Sequence, residues 1–501
     1  MKKAFLLAAM CCFMSLSAFA VDETRNLQKI YPVNSDVYQA ITCLFLDQGL
    51  GLPSTAGPWS GDELAKMLDR IDSSRLRGGA VDTYNYAINT LNEGHHAFKF
   101  TLKATVEGYY HTNTTSFTKE SQWIRGFDER NPVLDIILET WPSEHFYGFS
   151  SLPVMNDRYR DFSAATGWSE PLWGSSALTT NIPLVAPNTL NDLNMNIPYR
   201  AFGSIGGSGW SAEIGRDKYS WGPGVSGNLM LGDQILYHNM GRVTTYGKNF
   251  KYTFATSFFP YATDYEPLVD GMGNYIQHQG QDSIQNGFKA FIGHRLEWKT
   301  LGGKLGIVVN EAIIYQSATN YLDLRVLSPT TIFHDYYVRS NANSMVGAEI
   351  DYTPFRYINL YGQAVVDEFC LPGEPVPGVD ANALPSAYGF MAGAKVSVPF
   401  GKGMFFGSAE WAKTDPYLYL RDNGDRKQVF GDYSLNWAVA IREFNATSGI
   451  TYTTDFLGYR YGCDAIVMNG HFGYKQYGKW SLQGNAFYMI HGTHDLSLIH
   501  I

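Results

Sequence analysis

From Phe98 onward the side chains take turns, one apolar and the next polar or small, in runs of about ten residues. Phe288, Ala290, Ile292, His294, Leu296 and Trp298 alternate with Lys289, Phe291, Gly293, Arg295, Glu297 and Lys299. The same period recurs in Val346–Tyr352, Phe390–Val398, Phe405–Trp411 and Trp480–Ile490. A period of two sends successive side chains to opposite faces of a strand. Runs of about ten residues match a tilted strand crossing a hydrocarbon layer.

The connections between runs are of two kinds. Residues 300–303 (Thr-Leu-Gly-Gly) and 400–403 (Phe-Gly-Lys-Gly) are tight, whereas 156–190, 262–285, 317–340, 370–388 and 412–431 are long and polar. Short turns at one end and long loops at the other are the pattern of outer-membrane barrels. The stretch from 98 to 490, at about 22 residues per strand with its connection, predicts roughly 16–18 antiparallel strands, and the barrel is assigned to 98–501. A soluble propeller or β-helix would show a repeat of fixed period, and none is visible.

Composition agrees with a wall that is apolar on one face only. Aromatics make up 15% of residues, there are 50 glycines, charged residues are only 17%, and the mean hydropathy is near neutral. Aromatic girdles and many turns account for the first two. The formal net charge of -9 argues against a nucleic-acid partner.

Residues 1–20 read as a cleaved export signal: Lys2 and Lys3, an apolar stretch Phe5–Phe19, and the small-x-small site Ala18-Phe19-Ala20. A lipid-accepting Cys11 or Cys12 would leave an unusually short apolar region. Beyond the leader stand Cys43, Cys370 and Cys463, an odd and widely spaced set that predicts no disulfide framework and no metal site. No later segment supplies the ~20 apolar residues of a membrane-spanning helix. The last residues, His494–Ile501, lack the terminal aromatic that usually ends such barrels, which predicts a truncated or non-native tail.

Residues 21–97 have a different period. Asn34 or Ser35 can cap a helix carrying Val37, Ile41, Leu44 and Phe45, and the Gly49–Gly57 stretch ends it. Ser60 with Glu63 is a capping box for a second helix with Leu64, Met67, Leu68 and Ile71 on one face. Tyr84, Ala87, Ile88 and Leu91 form a third row after Gly78-Gly79. A small helical module on the periplasmic side is the expectation.

The segment Gly215-Arg216-Asp217-Lys218-Tyr219-Ser220-Trp221-Gly222-Pro223-Gly224, followed by Asn228-Leu229 and Gly232-Asp233, resembles the GR…WGPG segment of the Wzi capsule-assembly family. His294–Glu297, Phe333-His334-Asp335 with Asn343-Ser344, and Leu360–Gln363 leading to Asp367-Glu368 add weaker similarity. The resemblance implies an outer-membrane barrel of about 18 strands with a periplasmic helical bundle. It further implies a non-enzymatic protein that binds surface polysaccharide during its assembly, with no cofactor. Partners would then be surface polysaccharide, outer-membrane lipid and the polysaccharide-export machinery. A porin-like solute channel and an outer-membrane hydrolase are the alternatives.

Read from the residues alone, Gly215, Arg216, Trp221, Gly222, Pro223 and Gly224 suggest a bulge or re-entrant corner, because glycines permit unusual φ and proline forfeits a ladder donor. Arg216, Arg295, Glu297, Glu349, Asp351, Lys395 and Glu410 should face the lumen, as a salt-bridged interior or a polar track for sugar. Trp168, Trp173, Tyr336 and Tyr337 lie in long loops and are the candidate saccharide contacts, since a ring offers an apolar face to pyranose C–H groups. No elbow, zinc-helix or phosphate-loop motif of a hydrolase is present.

Overall fold

The computed structural model describes residues 26–92, 98–110, 131–156, 178–181, 193–195, 199–260, 287–317, 320–328, 330–333, 342–368, 387–420, 436–445 and 449–492. The leader 1–20, the tail 493–501, Cys370 and the four loop aromatics Trp168, Trp173, Tyr336 and Tyr337 lie outside these residues.

Fifteen strands pair antiparallel in one continuous succession, each with the next in the wall. They are β1 (Phe98–Ala104), β2 (Leu134–Ser143), β3 (Phe146–Asn156), β4 (Arg200–Gly207), β5 (Trp210–Asp217), β6 (His238–Tyr246), β7 (Phe250–Pro260) and β8 (Phe288–Thr300). They continue as β9 (Leu305–Ser317), β10 (Ala342–Phe355), β11 (Ile358–Glu368), β12 (Ala387–Phe400), β13 (Gly403–Thr414), β14 (Ala465–Gln476) and β15 (Trp480–His491). At one end the connections are two to four residues long, as at 208–209, 301–304 and 401–402; at the other they run from 18 residues (369–386) to 50 (415–464). The architecture is a β-barrel.

The alternation fixes which face each side chain takes. Leu296 lies across from Val309 and Trp298 from Ile307, all pointing outward, while the neighbouring Arg295, Glu297 and Lys299 point inward. Outward apolar side chains stay uncovered: Val309 is 53% exposed, and Leu296, Trp298, Ile350, Leu360 and Phe405 are similar. A belt this large would be a liability on a water-soluble protein. Near the tight turns the belt becomes aromatic, with Phe405–Tyr474 at 5.1 Å and Phe400–Phe405 and Tyr474–Trp480 each at 5.2 Å between ring centroids.

Small residues inside the wall make room for pairs. A Cβ on Gly306 would sit 1.8 Å from Asp351 Oδ2 and 2.3 Å from Lys299 Nζ, so glycine is needed for the Lys299–Asp351 bridge of 2.7 Å.

Three helices precede the wall: α1 (Asp36–Gln48), α2 (Gly61–Leu68) and α3 (Gly79–Leu91). Ser35 is the N-cap residue of α1, and Gly49, at φ 71, closes it in the left-handed conformation that glycine adopts without strain. Only half of the capping box forms at α2. Ser60 Oγ accepts from the Glu63 N–H at 3.3 Å, but the Glu63 carboxylate turns instead to Lys251 of β7. Gly79 opens α3 against the β12–β13 turn, where a Cβ would lie 1.9 Å from the Gly403 carbonyl oxygen. Leu44, Phe45, Leu64, Leu68, Ala87 and Leu91 form a core that includes Met404 and Tyr477 from the barrel. Burying a leucine or phenylalanine contributes about 1.5–3 kcal/mol, so the module and the barrel mouth share one hydrophobic unit. It packs at the end with the short turns: Arg356 of the β10–β11 turn binds Asp47, and the Gly51 N–H donates to the Gly303 carbonyl at 2.8 Å.

Candidate functional site

The interior is occupied by the chain itself. Two connections from the long-loop end fold back inside: 218–237 between β5 and β6, and the described parts of 415–464 between β13 and β14. A third segment, Leu52–Trp59, enters from the helical end. Within the barrel Ser220 and Trp221 pair as a short antiparallel ladder with Gly57 and Ala56, and the Gly222 N–H donates to the Thr55 carbonyl at 2.9 Å.

Wall charges hold the entering segment. Both terminal nitrogens of Arg295 donate to the two Glu349 oxygens at 2.5 and 3.0 Å, and Nε donates to Glu297 at 3.2 Å. The same guanidinium donates to Thr55 Oγ1 at 2.7 Å, and Ser54 Oγ donates to Glu297 at 3.0 Å. Asp351 accepts the Leu52 N–H at 2.7 Å. Lys251 donates to the Ala56 carbonyl at 2.8 Å and to Glu63 at 2.6 Å; Arg242 donates to the Pro58 carbonyl and to Glu213. Burial raises the pKa of the Glu63 carboxyl, against the pull of the Lys251 ammonium beside it.

The WGPG segment is held in the same manner by the adjoining strands β11, β12 and β13. The Val225 and Ser226 N–H groups donate to the two oxygens of Glu410 at 2.6 and 2.7 Å, and Tyr361 donates its hydroxyl to the same carboxylate. Lys395 donates to the Pro223 carbonyl at 2.6 Å. Gln363 accepts the Leu229 N–H at 3.1 Å and donates to Asn228, whose side-chain oxygen also accepts the Gly224 N–H at 2.8 Å. Gly222, at φ 133, is obligatory: a Cβ there would lie 1.7 Å from Gln363 Nε2. Trp221 is fully buried, edge-on to Phe291 at 5.6 Å.

The second inward segment seals onto the first. Trp437 donates its indole N–H to the Met230 carbonyl at 2.9 Å, Tyr419 donates its hydroxyl to the Leu229 carbonyl at 2.6 Å, and Lys289 of the wall donates to the Asn436 carbonyl at 2.7 Å. Around these bonds runs an apolar core that includes Leu231, Ile235, Phe291, Met345, Leu418 and Leu457.

The structure therefore brings Arg295, Glu297, Glu349 and Asp351 together on the inner wall, but as buried clamps on Leu52–Thr55. An open polar track along these residues is not what they form. Arg216 differs from expectation. Counting from the exposed Ile214, it lies on the outward face near the long-loop end, stacked 4.2 Å from the Tyr237 ring and bonded to Asn239 at 2.9 Å. Gly215, Trp221, Gly222, Pro223 and Gly224 shape the re-entrant segment and its approach. Thr55, Lys251, Arg242 and Glu213 were not among the residues that sequence reasoning singled out, and Gln363 entered only through the family resemblance of Leu360–Gln363. Inward alternation in β5, β6, β7 and β11 was the available signal for the wall residues, and nothing local marks Thr55. Among the described residues no cluster of His, Cys, Asp and Glu is placed to hold a metal ion, and no helix is long and apolar enough to cross a membrane.

Neither a family model nor a curated protein matches this chain in sequence. Among solved structures it is similar to Wzi of Escherichia coli, an outer-membrane protein involved in group 1 capsule assembly and a carbohydrate-binding β-barrel. The TM-score is 0.56 at 14% identity, over 94% of this chain and 87% of that one. The fold is that of Wzi. Weaker likeness extends to the anion-selective porin of Comamonas acidovorans, with TM-score 0.32, 12% identity and 71% and 77% of the two chains covered. The channel DcaP of Acinetobacter baumannii gives 0.29, 10%, 71% and 84%.

Proposed function

We propose that this chain is a non-enzymatic outer-membrane barrel that binds and tethers a capsular or extracellular polysaccharide during its assembly at the cell surface. The observation that carries this reading is a Wzi-like barrel whose lumen is filled by three of its own segments. A conduit for solutes needs an open aqueous path, and the apolar core around Trp221, Phe291 and Trp437 stands against one. The exposed apolar belt and the aromatic band near the tight turns support a location in lipid. In this reading residues 1–20 direct export, the 21–97 module faces the periplasm and meets the polysaccharide-export machinery, and the long connections face outward. Trp168, Trp173, Tyr336 and Tyr337, all in long connections, are the proposed sugar contacts.

The test is retention of polymer by cells lacking the chain. The reading expects the polysaccharide to be made in normal amount but shed into the medium. Retention should return with the intact chain and fall short with all four aromatics changed to Ala. Unchanged retention in the deleted strain would sink the proposal.

A further inference from the structure

A second site lies at the opposite end from the proposed sugar contacts. Where the helical module meets the tight turns, an open cleft of ≈ 590 Å³ is lined by Leu50, Lys66, Asp69, Arg70, Lys248 and Gly302. A narrower cavity beside it shares Lys66, Arg70 and Lys248 and continues inward to Lys251 and Lys299. Three of these five cations are matched by acids: Lys66 with Asp62 at 3.0 Å, Lys251 with Glu63 at 2.6 Å and Lys299 with Asp351 at 2.7 Å. Arg70 and Lys248 form no ion pair among the described residues, and the rim carboxylate Asp69 forms none with either.

Arg70 is nonetheless held in place. Its Nη1 donates to the Lys248 carbonyl at 3.1 Å, its guanidinium carbon lies 5.5 Å from the Phe45 ring centroid, and its other nitrogen lies close against Gly303. Partial burial without a carboxylate pulls its pKa below the usual guanidinium value. A fixed cation that is partly desolvated and lacks a counter-charge is the condition under which an added anion gains most.

We propose that this cleft binds a carboxylate-bearing oligosaccharide, a short uronate segment, with Arg70 and Lys248 each taking a carboxylate. The cleft volume falls within the range of small-molecule sites, about 300–1,000 Å³, so it takes a few sugar units and not a folded partner. Leu50 lines the cleft, and Phe45 and Met67 line the narrower cavity beside it, an apolar side that suits the C–H face of a pyranose better than a lone inorganic anion. This site is separate from the surface contacts proposed above and does not depend on them.

The experiment measures binding of trigalacturonate to the full chain in a polyoxyethylene detergent by titration calorimetry, with maltotriose and inorganic phosphate as comparison probes. The wild type is expected to bind trigalacturonate, with affinity falling as salt is added, and to bind neither comparison probe. Arg70→Gln should weaken binding about tenfold or more, the worth of one charge-assisted hydrogen bond. Lys248→Gln, on an exposed turn where folding is not at stake, should weaken it severalfold. The assignment is overturned if trigalacturonate does not bind, or if Lys248→Gln binds it as the wild type does. It also fails if phosphate or maltotriose binds equally well.

Discussion

Replacing Arg295 by Met would remove the cation that joins three parts of the molecule: β8, β10 through Glu349, and the entering segment through Thr55. The side chain is completely buried and donates to Glu349 twice, to Glu297 and to Thr55. Methionine keeps much of the volume but leaves two carboxylates in the interior without their guanidinium. Breaking a buried pair from one side costs about 3–5 kcal/mol, which is roughly a hundredfold to several-thousandfold in the folding equilibrium. The assay is urea unfolding of the protein in lipid vesicles, followed by tryptophan fluorescence, together with protease cleavage between residues 50 and 60. The variant should unfold at lower urea, and the segment should become cleavable. A cycle with Glu349→Met checks the cause, since the double variant should lose much less than the two single losses added together. An unchanged midpoint with an uncut segment would refute the clamp.

Trp221→Ala should cost about 3–5 kcal/mol by emptying the space beside Phe291, read in the same urea assay; a loss below 1 kcal/mol, roughly that of a surface change, would contradict its place in the core. Gly222→Ala should be as harmful as a far larger substitution, because its Cβ meets Gln363 and Asn228, and combining it with Gln363→Ala should recover part of the loss. Val309→Arg should destabilise the vesicle-embedded protein by about 2–4 kcal/mol, whereas a water-facing position would tolerate it. For Glu63 the sign follows from its raised pKa. The folded form holds the proton more tightly than the unfolded chain, so the favourable contribution is complete below the ordinary value of 4.5 and is lost as pH rises through the folded pKa. Wild type should therefore lose ground to Glu63→Gln as pH rises above the ordinary value of 4.5, and a constant difference would speak against the buried setting.

Much of the wall was legible because it rests on a local rule. The alternation in 288–299, 346–352, 390–398 and 405–411 assigns faces residue by residue, and the structure keeps those assignments. Arg216 departs from this pattern because a charge does not by itself mark the inside: its register two residues on from Ile214 sets it outward near the loop end, where a guanidinium can lie on Tyr237. The filling of the lumen was not legible. Residues 415–464 read as an ordinary polar connection, and 218–237, although it carries Trp221, Leu229, Met230, Leu231, Ile235 and Leu236, has no period that says where those side chains go. What draws 218–237 and the described parts of 415–464 inward is long-range: Glu410 and Lys395 grip one, and Lys289 reaches the other. These connections also use chain length without adding to the continuous succession of fifteen strands, which with the short strand Leu193–Met195 makes a sheet of sixteen among the described residues, against an expected 16–18. Thr55 carries no signal of its own, since its role depends on Arg295, which lies 240 residues away.

The most direct measurement is conductance of the purified chain in a planar lipid bilayer. A cylinder stoppered by Leu52–Trp59 and the two inward connections should insert and pass almost no current, with brief openings that become frequent when Arg295 is changed to Met. A large, steady ohmic step from the unaltered protein, of the size a wide water-filled pore gives, would contradict the account.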